Sequence, residues 1–376
     1  MPGFELIGKE EQEAVKKIFD DGGILFAHGF EKLRRNFHIR EFEKMFSQKI
    51  NCSHSLAVSS GTAAIKIGLK ALGVKPGDEV ITQAFNFIAT VEAILDIGAK
   101  PIISNVDESL NMDPEDVKSL ITSKTKVILP VHMLGVGADM DKIMKISKEK
   151  NLKVLEDNCE SLGAKMDGKY LGTIGDVSAF SFDFGKVITT GEGGMVVTNK
   201  FKIDKYAREY HDHGHENNVN LPRGKDTKTI YGFNYRMTEL QGVIGKVQLS
   251  KLDSIIKNNE LRYKALLKSM EKTFDLRKIT KKCEIVYDAF IFFEENENLR
   301  KKIVQHLKKR GFGTKNLPDA IEWHCAAFWD HALAKDQINQ IIKTKNILNK
   351  AIAIPIWLKK TVNDYALLGE ELKNLK

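Results

Sequence analysis

The sequence predicts an α/β fold in which a large, mostly parallel sheet lies between helices and a smaller α/β unit follows. Short apolar runs such as 127–131 and 152–156 read as strands buried on both faces. Helix-length segments alternate with such runs from Ser60 to Thr198, the pattern of a parallel sheet with crossover helices. After Asn234 the alternation gives way to one long or broken helix over 237–272 and then a shorter α/β series.

Each element has a local reason. Ser60-Gly61-Thr62 opens a helix that runs to Leu72. Gly73 ends it, and Pro76-Gly77-Asp78 turns the chain into a strand at 79–82. A helix over 89–97 closes at Gly98, and a strand follows at 100–104. Asp113-Pro114 reads as an N-cap with proline in the first helical position. A helix over 139–150 precedes the strand at 152–156, and strands at 177–180 and 195–198 flank a glycine-rich turn. Beyond the long helix the expected elements are a strand at 284–293, a helix at 299–310, a helix near 336–348, a strand at 351–354 and a terminal helix. The natural division is 1–250 for the large domain and 251–376 for the small one, with the long helix as the bridge.

The chain has 376 residues, enough for about two domains. With 42% hydrophobic and 29% charged residues it should build a large core and is not disordered. Its apolar runs are too short and too interrupted to span a membrane, and its start shows no secretory pattern, so a cytoplasmic protein is expected. Cys52, Cys159, Cys283 and Cys325 are scattered without metal spacing and read as reduced thiols. The net charge of +8 reads as a solvated lysine surface or as attraction for an anionic substrate. No aromatic-basic interleaving points to nucleic acid.

Three segments carry chemistry. The first is Ser181-Phe182-Asp183-Phe184-Gly185-Lys186, which continues to Gly191-Glu192-Gly193-Gly194. It places a lysine in a glycine-rich turn at the end of a buried sheet. Such an amine suits covalent attachment to a carbonyl, and the turn also reads as an ordinary connection bearing a surface lysine. The second is Val154-Leu155-Glu156-Asp157, which ends a buried strand in a carboxylate. A carboxylate there needs a cation, such as a protonated pyridine nitrogen, unless it caps a helix. The third is Ser59-Ser60-Gly61-Thr62, where free amides at a helix start make an anion cradle or a simple cap. No nucleotide-binding glycine fingerprint competes for the phosphate role.

At these residues the chain resembles the DegT/DnrJ/StrS family of sugar aminotransferases over nearly its whole length. The blocks from Gly172-Thr173-Ile174-Gly175-Asp176 to Gly194 and from Gly232-Phe233-Asn234-Tyr235-Arg236 to Gln241 carry the likeness. The resemblance implies the type I pyridoxal-phosphate transferase fold, a seven-stranded sheet between helices with a smaller C-terminal α/β domain. It implies that Lys186 bears the cofactor and later shuttles the proton, and that Asp157 meets the pyridine nitrogen. Gly61, Thr62 and Ser181 would hold the phosphate, and Phe87 would stack on the ring. Asn234 would reach the phosphate of a neighbouring subunit, which implies a homodimer with shared sites. Glu160 stands where the family commonly has glutamine or histidine beside the cofactor's phenolic oxygen, so its role there is open. A few relatives carry histidine in place of the lysine and dehydrate a keto sugar, and Lys186 favours transamination instead.

The opening Met1-Pro2-Gly3-Phe4-Glu5-Leu6, the Val131-His132-Met133 turn and Asp212-His213-Gly214-His215 lie outside the cofactor core and bear on substrate. They are similar to members acting on an 8-oxo-3,8-dideoxy-manno-octulosonate type of free sugar acid for lipopolysaccharide. Nucleotide-linked keto sugars are the alternative. His213, His215, Arg236 and His324 are candidate substrate residues, each with a structural reading beside it: solvated histidines, an ion pair for Arg236, and core packing for neighbouring Trp323. No metal site is expected. The expected partners are the keto sugar, glutamate as amino donor and a second copy of the chain.

Overall fold

The computed structural model describes residues 2–30, 33–218 and 220–376; Met1 of the opening segment lies outside them. Its main sheet has seven strands. In spatial order they are His54–Val58, Gly194–Thr198, Val177–Ser181, Lys153–Asp157, Thr125–Leu129, Glu79–Gln83 and Lys100–Ser104. Every pairing from Val177–Ser181 to Lys100–Ser104 is parallel, and Gly194–Thr198 runs antiparallel to both of its neighbours. Along Thr125–Leu129, Val127 and Leu129 enter one apolar core while Ile128 enters the other. That alternation follows from the two-residue period of a strand, and two covered faces explain the unbroken apolar runs.

The C-terminal part forms a three-stranded antiparallel sheet from Asp275–Leu276, Ala289–Phe293 and Ala351–Pro355. Phe290, Phe292, Ile352 and Ile354 pack there against Tyr365 and Leu368 of the terminal helix Val362–Leu375. Two expectations need correction. The single strand expected at 284–293 is divided: Cys283–Glu284 pairs with Lys165–Met166, and Ala289–Phe293 joins the small sheet. Tyr287, at φ 57°, turns the chain between the two. The helix expected near 336–348 is also two, Lys335–Gln340 and Ile342–Leu348. It breaks because Ile341 is buried beside Trp329 and the Thr344 amide donates to Asn105 Oδ1 instead of to the preceding turn.

The helix Glu239–Met270 is 32 residues long and opens with a Thr238/Gln241 capping box. Residue 250, the expected division, falls inside it. The helices Lys9–Asp20 and His38–Ile50, which the sequence pattern alone did not assign, pack along it. Gly242 and Gly245 allow the close approach: a Cβ at Gly245 would lie 2.7 Å from the Phe42 ring.

Gly245→Val should therefore overpack this seam and lower stability by about 1–3 kcal/mol. The measurement is the urea unfolding midpoint against that of the parent chain, and an unchanged midpoint would contradict this packing.

Candidate active site

Functional side chains gather where the strands of the large sheet reach their carboxyl ends, the usual place for sites in parallel α/β sheets. After strand His54–Val58, Ser60 caps the helix Gly61–Ala71, and its side chain accepts from the Ala63 amide at 3.1 Å. The Gly61 and Thr62 amides precede the helical ladder and are free to bind an anion. Gly61 has a steric reason to be glycine. A Cβ there would sit 2.8 Å from Ser181 Cβ and 3.1 Å from Cys159 Sγ.

The neighbouring strand ends in Asp157, which is 3% exposed. Its Oδ2 accepts from Thr90 Oγ1 at 2.8 Å and its Oδ1 from the Cys159 amide at 3.1 Å. It forms no ion pair among the described residues. The next strand ends in Ser181, and the chain turns through Asp183 and Gly185 to Lys186. Asp183 Oδ1 takes the Gly185 amide at 2.9 Å and its carbonyl takes the Lys186 amide at 3.1 Å, which fixes the turn. Lys186 Nζ lies 3.6 Å from Glu160 Oε1.

One cavity of about 420 Å³ unites these groups: Gly61, Thr62, Phe87, Asp157, Glu160, Ser181, Lys186 and His324 all line it. Burial alone would raise the Glu160 carboxyl, but the charges of Lys186, Lys315 and His324 pull it down to about 2. Burial works against the charge of Lys186, yet Glu160 and the acidic groups around it hold the amine above its ordinary value. Burial pushes the Cys159 thiol well up, so it stays neutral beside Asp157. Phe87 is 45% exposed, stands at the mouth, and faces Trp323 and His324 at 6.5 and 5.5 Å between ring centres. Trp323 is itself 60% exposed, so it is not the core residue expected; the backbone around it is tied down through the Ile88 amide.

The remaining candidates lie elsewhere in this chain. Asn234 is exposed and its Oδ1 accepts from the Arg236 amide. His213 is exposed at φ 55°, and His215 pairs with Asp226 at 3.1 Å. Arg236 and Arg223 both bond to the buried Asp212, each at 2.5 Å to its Oδ1, with His28 at 3.6 Å from its Oδ2. None of Asn234, His213, His215 or Arg236 lines the cavity.

Sequence reasoning missed Thr90, Lys315 and Asn316. Thr90 carried a faint signal, as it closes the Phe85-Asn86-Phe87-Ile88-Ala89-Thr90 segment and is the second residue of the helix Ala89–Asp96. Lys315 and Asn316 carried none, because the fold brings them from the small sheet: the Lys315 amide donates to Ala353 and its ammonium bonds Asp288. The specific-looking block at 172–175 proves structural. Buried Glu156 accepts the amides of Gly172, Ile174 and Gly175 at 2.8, 2.8 and 2.6 Å. Among the described residues no cluster of metal-ligating side chains occurs, all four cysteines are free, and no helix is long and apolar enough to cross a membrane.

The sequence model of the DegT/DnrJ/EryC1/StrS aminotransferase family matches residues 7–372. GDP-perosamine synthase of Escherichia coli O157:H7 is 43% identical over 220 residues, which are 58% of this chain and 59% of that protein. An uncharacterised protein of Methanocaldococcus jannaschii is 32% identical over 335 residues and covers 86% of each chain. The chain thus spans under two thirds of the length of the perosamine synthase it matches. Among solved structures, 3-amino-5-hydroxybenzoic acid synthase superposes with a TM-score of 0.86 at 28% identity, covering 100% of this chain and 98% of that one.

The Asp212 cluster generates a pH prediction. Burial would raise this carboxyl, but bonds from Arg223 and Arg236 and the nearby His28 lower it from 3.8 to about 2. A depressed carboxyl stabilises the fold above its ordinary value and loses that contribution as pH falls through its folded value. About 2 kcal/mol should therefore disappear between roughly pH 4 and pH 2. The loop 212–236 should become sensitive to pepsin over that window, and Asp212→Asn should open the same loop to proteases at neutral pH. Equal cleavage of variant and parent at neutral pH would contradict this.

Proposed function

The chain belongs to the DegT/DnrJ/EryC1/StrS aminotransferase family, and from that premise we propose that it is a pyridoxal-phosphate-dependent aminotransferase that moves the amino group of glutamate to a keto or aldehyde carbon of a sugar. The observation that carries this reading is the convergence of Lys186, Asp157 and the helix start at Gly61 on one cavity.

The residues fit the cofactor by their own chemistry. A carboxylate as buried as Asp157, without a cation, is costly, and a protonated pyridine nitrogen is the cation that would offset it. The cradle at Gly61 exists because no side chain fits there, and the Gly61 and Thr62 amides with the Ser181 hydroxyl would hold a phosphate. Phe87 offers an aromatic face at the mouth. Pyridoxal phosphate, when bound, supplies the electron sink that acidifies the carbon bearing the transferred nitrogen.

The chain's own groups do the rest. Thr90 and the Cys159 amide fix the Asp157 carboxylate, so its charge stays aimed into the cavity. Lys186, once its amine is free, is the base that takes the proton from the substrate carbon and returns it. The turn bonds from Asp183 keep its stem in place. Asn234 is exposed and absent from its own cavity, it follows exposed Tyr231 and Phe233 in the chain, and its backbone bridges to that of Asp212. These features support a homodimer in which Asn234 serves the neighbouring site. The four free thiols fit the reducing cytoplasm.

For the acceptor, the resemblance carried by the opening segment, by Asp212-His213-Gly214-His215 and by Val131-His132-Met133, of which Val131 and Met133 line the cavity, favours a free sugar acid of the 8-oxo-3,8-dideoxy-manno-octulosonate type, destined for lipopolysaccharide. The name of GDP-perosamine synthase favours a second reading, a nucleotide-linked keto sugar. A glutamate-coupled assay across both classes decides between them, since the amino sugar forms only from the true acceptor.

Lys186→Ala should lose at least about 100-fold in turnover with glutamate; full turnover would sink the proposal. Asp157→Asn should weaken retention of pyridoxal phosphate by about 30-fold or more, equivalent to roughly 2 kcal/mol, read from the absorbance of bound cofactor during titration. Retention equal to that of the parent would mean that Asp157 does not pair with the pyridine nitrogen.

A further inference from the structure

We propose that Glu160 is a positioning residue that sets how readily Lys186 gives up and takes back its proton. The proposal rests on the reading of Lys186 as the lysine that shuttles the proton, and it deepens that reading. Glu160 follows strand Lys153–Asp157, and its side chain is only 10% exposed. Its two oxygens are divided between tasks. Oε1 lies 3.6 Å from Lys186 Nζ, and Oε2 accepts from the Leu134 amide at 3.2 Å. The backbone bond fixes the carboxylate, so the charge faces Lys186 from a set position and not from a mobile surface chain. Its own carbonyl takes the Gly135 amide at 3.1 Å, which locks the residue at both ends.

The groups around the pair define the electrostatics. Lys186 faces Glu160 and Cys159 just beyond the Lys153–Asp157 strand, Asp183 from its own turn, and Asp157 at the end of that strand. Glu160 faces Lys186, Lys315 from beside the small sheet, and His324 from the short helix Ile321–His324. Lys315 is already bonded to Asp288, and the His324 ring has its Nδ1 on the Ala320 carbonyl at 2.8 Å. Burial and the two neighbouring cations hold His324 below its ordinary value despite Glu160. Lys186 is therefore the cation within ion-pair distance of Glu160 among the described residues. A glutamine at this position would accept or donate a hydrogen bond without supplying charge. A carboxylate favours the ammonium, strengthens Lys186 as a base, and leaves less of it as free amine near neutral pH.

The test uses the full-length chain freed of cofactor. An amine-directed acylating reagent is applied across pH, and the fraction modified at Lys186 is read by peptide mass spectrometry. Glu160→Gln should lower the pH midpoint of modification by about one unit, so that the rate near neutral pH rises about tenfold. Glu160→Asp keeps the charge but draws it back by one methylene, and its midpoint should fall between the two. A parent-like midpoint in folded Glu160→Gln overturns the proposal; if that variant fails to fold, a parent-like midpoint in Glu160→Asp does so. A second readout separates this from failure of the function itself. Absorbance of pyridoxal phosphate bound at Lys186 in the parent shows the cofactor reading intact whatever the midpoints are.

Discussion

A carboxylate that the fold buries and does not neutralise is the constraint on which the site depends. Asp157 ends a strand covered on both faces, and among the described residues the groups bonded to its side chain are a hydroxyl and an amide. Neither removes its charge. The rest of the cavity is arranged around that deficit: an anion cradle on one side at Gly61, a lysine on another at Lys186, and an aromatic face at the mouth. An apolar or neutral residue would suit the folded chain better at this position, which is why the proposed function pairs the carboxylate with a protonated ring nitrogen.

Lys186 and Glu160 form the complementary motif. Each is buried enough to be unstable alone, and each holds the other charged. Lys315 and His324 extend the same balance to the small sheet, so the charge state of the site belongs to both parts of the chain and not to the glycine-rich turn alone.

Much of this was legible in the sequence, for reasons that vary by residue. The large sheet was readable because strands buried on both faces leave apolar runs with turn signals between them, as at 100–104, where expectation and structure coincide. Lys186, Asp157 and Gly61 stood out because each sits where a strand ends or a helix starts, a place that local sequence marks. Lys315 and Asn316 stayed hidden because pairing of the small sheet brings them to the cavity, and no spacing along the chain records that. The strand expected over 284–293 is in fact divided, because apolar residues interrupted only at Asp288 read as one run while their partners belong to two different sheets. Trp323 was misread because size and hydrophobicity predict burial, whereas a cavity mouth exposes an aromatic ring.

The long helix Glu239–Met270 has a mechanical meaning. Leu249, Leu252 and Ile255 on it enter the core of the large sheet, while Leu266 and Met270 enter the core of the small one. A single rod with about 1.5 Å of rise per residue thus ties the two cores together over its whole length. Melting either end removes apolar side chains from a core and leaves the other end without its continuation. Residue 250 falls inside this rod, between Leu249 and Leu252 of the large core, so a break in the chain there would divide the helix itself.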